Sequence, residues 1–459
     1  MISTCNRLLS TNWQRFIGLF FLVFMVFAAG SSAQAQEVQR IEFNDAVEIA
    51  LQQNVTIRRA QNNVSLQATN VTAEKAAFLP NLNLSSGASR NYGSFFDNTV
   101  GERVQETNDS FNLSASSSLN LFNGFADVAS LAQARLNLLS QEFDFDRTRQ
   151  TIVFNVATNF LSVILAEERM SIRQDDVEAQ QLLLNQIEEF VNAGVRAVSD
   201  LYTQQANMAA SEAQLLDADS QVQLAKTRLI QILQLPPMVD YEFIAPDPDD
   251  LPLGIREFDM GELMAGAFES RADIKAQEAA IDATTQGIRV AKSGYLPSLD
   301  MSGSYRTSWS SGQMSSFADQ LSDRQSKNIG VSLSIPIFNR LAVKTNVESR
   351  RVQYANALLD LEAMQQSVVL DIRQAYYDYQ TAVKQLDVTA KQLRAAEQAL
   401  EVEQERYDVG ASTLVELTQS RAQFTNASSG RAQAIFQFFF QQRLLEYYQG
   451  ILDPTQPLF

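Results

Sequence analysis

The chain of 459 residues carries 36 basic and 53 acidic side chains, and its net charge of −17 repels nucleic acid phosphates. It contains no histidine and one cysteine, Cys5, which excludes metal sites of the histidine or cysteine type and histidine-based catalytic triads. The acidic balance fits two interpretations, a soluble surface or an acidic lumen that favours cations.

Residues 1–35 have the pattern of a secretory signal peptide. Two arginines precede the apolar run 16–29, and Ala33-Gln34-Ala35 offers a cleavage site with small side chains. We therefore expect the mature chain to begin at Gln36 and to lack Cys5. No later stretch reaches the roughly 18 to 20 uninterrupted apolar residues that a membrane-spanning helix needs, so a membrane crossing is expected to use strands.

After this segment the sequence repeats itself once, with a shift of 216 or 217 residues. The shift relates three pairs of segments: Phe78-Leu79-Pro80 with Tyr295-Leu296-Pro297, Leu121-Phe122-Asn123 with Ile337-Phe338-Asn339, and Gly194 with Gly410. Because solenoid units are only about 20 to 50 residues long, the repeat is interpreted as a whole supersecondary module that is present twice.

The repeat divides the chain into five segments. They are a signal peptide (1–35), a first repeat (36–235), a connector rich in proline and aspartate (236–257), a second repeat (258–450) and a C-terminal tail (451–459). Each repeat is expected to contain a short helix, two strands, a long helix and a shorter helix, in that order.

The strands of each repeat follow a leucine-proline turn. Pro80 and Pro297 mark the turns that enter the first strand of each pair. Apolar and polar residues then alternate over 111–121 and 329–337, which predicts the second strands, each with one apolar and one polar face.

Between the paired strands lie polar stretches rich in serine and glycine, 93–109 and 310–326, which are expected to be exposed loops. Aromatic side chains near the strand tips are expected to form a belt at the lipid boundary. These are Tyr92, Phe95, Phe96, Tyr305 and Trp309.

Helices are predicted on both sides of the strands. Short helices are expected over 44–75 and 260–292, before each strand pair. The long segments after the strands lack proline, and Gly194 and Gly410 divide each into a long arm and a shorter one; the first arm would reach ~100 Å at 1.5 Å per residue. Apolar residues over 361–400 step by threes and fours, which predicts a shallow left-handed supercoil.

Four strands cannot close a barrel alone, because bacterial barrels begin at about eight strands and open edges do not occur in lipid. The chain is therefore expected to share a barrel with copies of itself. Taken together, these features resemble the TolC-like outer-membrane efflux protein family. They are the signal peptide, the doubled module, the two Leu-Pro turns, the two glycine breaks, and the segments Leu121-Phe122-Asn123-Gly124 and Ile335-Pro336-Ile337-Phe338-Asn339.

The resemblance implies a mainly α fold with a membrane β-barrel. A homotrimer would supply four strands per chain to a twelve-stranded barrel in outer-membrane lipid, continued by an α-barrel tunnel through the periplasm. The implied function is the exit duct of a tripartite efflux or type I secretion system in the outer membrane of a Gram-negative-type bacterium. The implied partners are a periplasmic adaptor (membrane fusion) protein and an inner-membrane pump of the RND, ABC or MFS type. No nucleic acid, metal, cofactor or catalytic residue is expected.

The resemblance also implies a periplasmic gate at the two glycine hairpins. Matched from the glycines, the gate residues are Ser199 and Asp200 on the first hairpin and Tyr407, Ser412, Glu416 and Gln419 on the second. Tyr407 stands at the family's gate tyrosine and Glu416 at an acidic ring, while Ser412 and Gln419 replace an arginine and an aspartate. Ser199, Asp200 and Tyr407 are expected to hydrogen-bond.

Structural alternatives stay open for these gate residues. Ser199 or Asp200 could cap a helix that begins after the turn. Glu416 could be a first-turn carboxylate favoured by the helix dipole, and Tyr407 could be a packing residue.

Two other function classes compete with the duct. One is a secreted structural coiled-coil or adhesin protein, and the other is a hydrolase that uses carboxylates alone. Amphipathic strand pairs at equivalent places in both halves argue against the first. The lack of histidine, of a mature cysteine and of a glycine-rich phosphate loop argues against the second.

Overall fold

The computed structural model describes residues 39–97, 101–244 and 254–452. The predicted signal peptide, residues 245–253 of the connector and residues 453–459 of the tail lie outside the described residues. The strands within the described part are β1 Gln39–Glu42, β2 Asn83–Asp97, β3 Glu102–Asn123, β4 Tyr241–Ile244, β5 Ser298–Ser310 and β6 Ser326–Ser334. The helices there are α1 Phe43–Gln53, α2 Val55–Ala76, α3 Ala126–Asn192, α4 Val198–Leu233, α5 Met260–Ser270, α6 Ala272–Ser293, α7 Phe317–Asp323, α8 Ala342–Asp408 and α9 Leu414–Gln449.

The sequence repeat reappears as pairs of helices with equal lengths. Helices α3 and α8 each contain 67 residues, and α4 and α9 each contain 36. The short helices correspond as well, since α1 and α5 have 11 residues and α2 and α6 have 22. The long helices can run without a break because they contain no proline, which would remove a backbone hydrogen bond and clash with the preceding turn.

The short helices differ from the prediction, which gave one helix over 44–75 and one over 260–292. Each divides into two at a residue with extended backbone, Asn54 or Arg271, where ψ is 125°. The Asn54 side chain accepts a hydrogen bond from the Thr56 N–H and donates one to the Ile232 carbonyl. The first bond satisfies a backbone N–H that the break leaves open, and the second joins the break to the end of α4, so α1 can turn away from α2.

Four long helices form one layer. Helix α3 packs against α4, α9 packs against α8, and α3 and α9 contact each other, which gives the order α4, α3, α9, α8. The central members of the predicted apolar stripe of α8 are buried, as a packing seam requires: Val368, Ile372, Ala375, Tyr379, Ala382 and Leu386.

The core lies where the short helices pack on this layer. One apolar cluster surrounds Phe160 of α3 and includes Tyr241 and Phe243 of β4, which pairs in parallel with β1. A second surrounds Phe438 of α9 and includes Leu263 of α5. Among the described helices, α3 alone has a window apolar enough to cross a membrane by length and composition, and half of that window is buried inside the fold.

The remaining strands form one antiparallel sheet in the order β2, β3, β5, β6. Phe111 lies opposite Trp309, and Met301 opposite Val331, so that the apolar residues of neighbouring strands share one face. This apolar face contains Leu84, Phe111, Leu113, Met301, Trp309, Ile329, Val331 and Leu333. The polar face is mostly serine and asparagine, and Ser85 and Ser114 hydrogen-bond across it at 2.7 Å.

The two predicted loops between the strands are wrong in part. Residues 93–97 and 102–109 continue the β2–β3 ladder, which the Arg90–Asp109 ion pair at 2.6 Å reinforces. Serine- and glycine-rich strands look like loops by composition, because their pairing is visible only in three dimensions.

The stretch 310–326 is also not a plain loop, since it contains α7. Phe317 of α7 packs on Phe111 and Trp309, with ring centroids 5.6 Å apart in each pair. The Thr307 hydroxyl, on the same apolar face, donates to the Leu321 carbonyl at 2.7 Å. Helix α7 therefore covers the outer end of this face, whereas Tyr92 stays exposed.

Candidate functional site

Both hairpins turn through the same backbone motif. Gly194 and Gly410 have φ of +73° and +76°, a left-handed conformation that glycine adopts without strain. In each turn the N–H after the glycine donates to a carbonyl five residues back, Val195 to Phe190 at 2.9 Å and Ala411 to Arg406 at 2.8 Å. This is the Schellman motif, which ends a helix and satisfies its last carbonyls.

Tyr407 lies at the centre of the packing between the two hairpins. Its side chain is fully buried in an apolar group, the tip cluster, whose other buried members are Leu183, Ile187, Leu414 and Leu417. Burial raises the pKa of Tyr407, against the opposing charge of Arg196. Its hydroxyl has no hydrogen-bond partner within the described residues. Within the single chain, Tyr407 is therefore a packing residue, as the structural alternative proposed.

Arg196 covers Tyr407 from the opposite hairpin. Its guanidinium carbon lies 4.4 Å from the centroid of the tyrosine ring, within the range of a cation–π contact. Its Nη2 also donates to the Tyr407 carbonyl at 3.1 Å. One side chain of the first hairpin thus holds both the ring and the backbone of the second.

The first hairpin places its predicted gate residues in the first turn of α4. The N-cap of this helix is Ala197, which makes no side-chain cap, so the alternative in which Ser199 or Asp200 caps the helix is wrong. The Ser199 hydroxyl donates to the Asp200 carboxylate over a long 3.5 Å. The expected hydrogen bonds from these residues to the Tyr407 hydroxyl are absent from the described part of the chain.

The second hairpin begins α9 with a capping box. Thr413 is the N-cap, and Glu416 Oε2 accepts hydrogen bonds from its N–H at 3.0 Å, its hydroxyl at 3.1 Å and the Ser412 hydroxyl at 2.8 Å. The bond from the Thr413 N–H contributes most to lowering the pKa of Glu416. Glu416 is therefore a first-turn carboxylate, as the alternative proposed, and it is also exposed.

The other residues of this hairpin separate into buried and exposed ones. Ser412 is buried, and its one hydroxyl hydrogen is shared between the carboxylates of Glu416 and Glu403; Glu403 also pairs with Arg406 at 2.7 Å. Gln419, one turn further along α9, is exposed. Glu416 and Gln419 are thus available to a passage at the tips, whereas Ser412 is held inside its own hairpin.

Further polar contacts join the α3–α4 hairpin to the α8–α9 hairpin. Asp176 of α3 accepts hydrogen bonds from Thr425 of α9 at 3.3 Å and from Ser211 of α4 at 2.8 Å. Asn207 reaches Thr418 at 3.4 Å. The two hairpins are therefore held together by a seam that continues for several turns above the tip cluster.

Sequence reasoning missed Arg196 and Asp176. The repeat itself contained a signal for the first, because Arg196 lies 216 residues before Ser412 and is its equivalent in the other half. The arginine that is missing at 412 thus stands on the opposite hairpin. Asp176 lies within a long helix among other acidic residues, and no local pattern distinguishes it.

The strand-entry prolines lie at the opposite end of the long helices. Pro297 directly precedes β5, and Pro80 lies shortly before β2. Between Pro80 and β2, the Asn81 N–H donates to the Ser118 carbonyl at 3.1 Å, and its side chain accepts from the Ser118 N–H at 2.7 Å. The chain thus passes from helix to sheet over a few residues.

Comparison with known proteins matches both halves of the chain. The family described as "Outer membrane efflux protein" matches residues 46–234 and 263–438. Outer membrane protein TolC of Escherichia coli (strain K12) is 23% identical over 327 residues, which cover 68% of this chain and 64% of that protein. TolC of Vibrio cholerae serotype O1 is 22% identical, with 86% of each chain covered.

A solved structure shows the same fold. The Campylobacter jejuni CmeC outer membrane channel superposes with a TM-score of 0.76 at 17% identity, covering 91% of this chain and 87% of that one. The predicted fold class is thus confirmed, and so are the outer-membrane location and the export function that were predicted for this chain. The matches favour a transport duct over an enzyme or a secreted adhesin. The chain belongs to the outer membrane efflux protein family.

Proposed function

We propose that three copies of this chain form the exit duct of a tripartite efflux or type I secretion system. The observation that carries the proposal is the open sheet, which has one apolar face and one polar face. Its edge strands are β2 and β6, and within the described chain each of them pairs with only one neighbouring strand. Unpaired edges are too costly in lipid to persist. Three sheets of four strands close them in a twelve-stranded barrel.

The strand directions allow this closure. All neighbours in the order β2, β3, β5, β6 are antiparallel, so β6 of one copy runs opposite to β2 of the next. The apolar face then contacts lipid, and the serine-rich face lines a polar passage. Native mass spectrometry in detergent should show three chains, and a stable monomer that inserts into membranes would refute the shared barrel.

The entrance to the duct is proposed at the hairpin tips, with Ser199, Asp200, Tyr407, Ser412, Glu416 and Gln419 as gate residues. The contacts at the tips support a closed state in which Arg196 clamps Tyr407 and the Asp176 seam holds the hairpins together. Glu416 and Gln419 are exposed and line the constriction. Each hydrogen bond contributes roughly 0.5 to 1.5 kcal/mol, so three copies can hold the gate shut while partner binding can still open it.

Single-channel recording in planar bilayers tests this gate. Arg196→Gln removes the cation–π contact and the bond to the Tyr407 carbonyl, and it should raise the mean conductance or open probability several-fold. Arg406→Gln is the matched control, because Arg406 lies at the same tip but pairs with Glu403 of its own helix. Equal conductance of wild type and Arg196→Gln would place the gate elsewhere.

A periplasmic adaptor protein and an inner-membrane pump of the RND, ABC or MFS type are the proposed partners. A passive duct has no energy source, so an inner-membrane pump must drive transport through it. Affinity purification from crosslinked cells identifies which pump class copurifies. Recovery of the duct without adaptor or pump from crosslinked cells would contradict the tripartite assembly.

Cleavage after Ala35 is part of the same proposal, because export across the inner membrane requires the signal. Mass spectrometry of the mature protein should find Gln36 at the N-terminus. An intact Met1 would overturn this assignment.

A further inference from the structure

A groove with a volume of about 640 Å³ runs between α3, α4 and α9. Arg169 and Arg173 line it from α3, Arg228 lines it from α4, and Gln433 lines it from α9. No aspartate or glutamate is among the lining residues. Arg169 lies 25 residues before Gly194, or roughly 37 Å from the hairpin tip at 1.5 Å per residue.

Within the described residues, none of the three guanidinium groups forms an ion pair with a carboxylate. Arg169 Nη2 donates to the Gln433 side-chain oxygen at 2.7 Å, a neutral partner. For Arg173 and Arg228, the described part of the chain supplies neither a hydrogen bond nor an ion pair. Three unneutralised cations around one groove are notable in a chain with a net charge of −17. Their planar forks suit carboxylate, sulfate and phosphate groups.

The internal repeat places a second groove, of about 480 Å³, at the equivalent position between α8 and α9. The shift of 216 residues relates Arg169 to Gln385 and Arg173 to Thr389, both of which line the second groove. The fold therefore makes this groove twice, but only the first copy is cationic. Charge in the first groove is thus not required for packing the helices.

Both grooves open on the same side of the helix layer, because Asn426, Gly430 and Gln433 of α9 line both. Asn426 and Gln433 belong to an exposed amide stripe at helical spacing, which consists of Gln419, Gln423, Asn426, Gln433 and Gln437. The stripe begins at Gln419, which faces the passage in the proposed duct. The opposite side of α9 is buried against the short helices through Phe436 and Phe438.

We propose that the arginine groove is an anion-binding site in the passage, which takes organic anions with carboxylate, sulfate or phosphate groups. This assignment rests on the proposed duct, in which the trimer sets three such grooves around one lumen. An anionic cargo is then bound part-way along the passage. Conduction requires only weak binding, so that the anion can also leave.

Isothermal titration calorimetry on the full-length trimer in detergent, with citrate as the probe at low salt, tests the site. Arg169→Gln combined with Arg173→Thr gives the first groove the side chains of the second at these two positions and leaves Arg228 as its one cation, and it should raise the citrate dissociation constant at least tenfold. Arg58→Gln with Arg59→Gln removes the same charge from exposed positions of α2 and is the matched control. Unchanged citrate binding in the groove variant would overturn the site.

A gain of function strengthens this test. Gln385→Arg with Thr389→Arg introduces the cationic pair into the second groove and should add a second citrate per chain, whereas an unchanged stoichiometry would count against the proposal. Citrate block of single channels separates the two proposals. If the wild type forms no channels, the duct fails. If it forms channels that citrate blocks equally in wild type and groove variant, only the anion site fails.

Discussion

Two glycines with left-handed backbone have different surroundings. At Gly124, where φ is +66°, an added Cβ would lie 2.7 Å from the Ser293 carbonyl oxygen and 2.8 Å from the Leu296 Cβ. At Gly194, with φ of +73°, an added Cβ would meet no atom within 4 Å. Backbone strain alone therefore opposes a side chain at Gly194, whereas a steric clash is added at Gly124.

Gly124→Ala should consequently destabilise the protein by about 3 kcal/mol, the sum of left-handed strain and overpacking. Gly194→Ala should cost only about 1 kcal/mol. Thermal unfolding followed by circular dichroism measures both variants. Equal losses would mean that the Ser293 segment moves aside to accommodate the methyl group.

Tyr407 gives a second test at the residue scale. A buried hydroxyl without a partner costs about 1 to 3 kcal/mol, so Tyr407→Phe should leave the stability equal or raised. It should also leave the closed-state conductance unchanged, because Arg196 still stacks on the phenyl ring. Tyr407→Ala removes that ring and should both destabilise the tips and open the channel. A leak in Tyr407→Phe would show that the hydroxyl bonds to a neighbouring copy in the trimer.

At the scale of elements, an ionic node joins α3, α6 and the end of α9. The Arg271 guanidinium, almost fully buried, pairs with Asp273 at 2.6 Å and donates to the Tyr448 carbonyl at 3.3 Å. Arg147 of α3 approaches the same carboxylate at 3.5 Å and stacks on Tyr447. Burial alone would raise the pKa of Asp273, but the bonds and charge of Arg271, with Arg147, outweigh it and lower this pKa.

Because the pKa of Asp273 is lowered by folding, its ionised form stabilises the protein above pH ~4, and this stabilisation is lost as the pH falls through the folded-state pKa. Asp273→Asn leaves buried Arg271 unpaired and should cost about 3 kcal/mol at pH 7. The difference from wild type should shrink below pH ~4. Burial raises the pKa of Asp371, and the charge of Asp273 adds to this rise, so the contribution of burial is common to both proteins, whereas that of Asp273 is not.

Melting temperatures at pH 7 and at acid pH provide the measurement. Asp387→Asn is the control, because Asp387 pairs with Lys391 on an exposed helix face and contributes less than about 1 kcal/mol. A wild-type advantage over Asp273→Asn that persists unchanged in acid would mean that the charge of Asp273 does not contribute to the node.

The helices and the strand pairs were predictable from the sequence because their causes are local. Proline-free segments, glycine breaks and alternation of period two each act within a few residues. The kinks at Asn54 and Arg271 depend on partners far along the chain, such as the Ile232 carbonyl and the Tyr448 carbonyl. Helix α7 escaped prediction because its seven residues are stabilised by contacts with the sheet.

The positions of the two hairpin turns were predicted from the sequence, but the contacts around them were not. The glycines located both tips, and Glu416 and Gln419 are exposed there. The burial of Tyr407 and its contact with Arg196 arise from packing between segments 211 residues apart, which no local pattern encodes. Only an alignment of the two halves would have drawn attention to Arg196.

At the scale of the whole molecule, closure of the barrel is open to a chemical test. The chain's only cysteine, Cys5, lies in the predicted signal peptide. Any disulfide detected in the mature protein therefore joins introduced cysteines. Strands β2 and β6 of one chain are separated by two strands, or about 14 Å at strand spacing. A disulfide needs Cα atoms within about 7 Å, so a β2–β6 disulfide must join two copies.

The alternation of side chains between the two faces of the sheet makes the prediction specific. Ser85 points to the polar face, as does Ser332 of β6, whereas Ser86 points to the apolar face. Ser85→Cys combined with a cysteine stepped along β6 at Asn328, Gly330 or Ser332 should give covalent dimers and trimers on oxidation at one register. Ser86→Cys with the same β6 positions should give none, because a disulfide does not cross the sheet. Crosslinking by both sets would indicate random collisions between chains, and crosslinking by neither would exclude an antiparallel β6–β2 contact between copies.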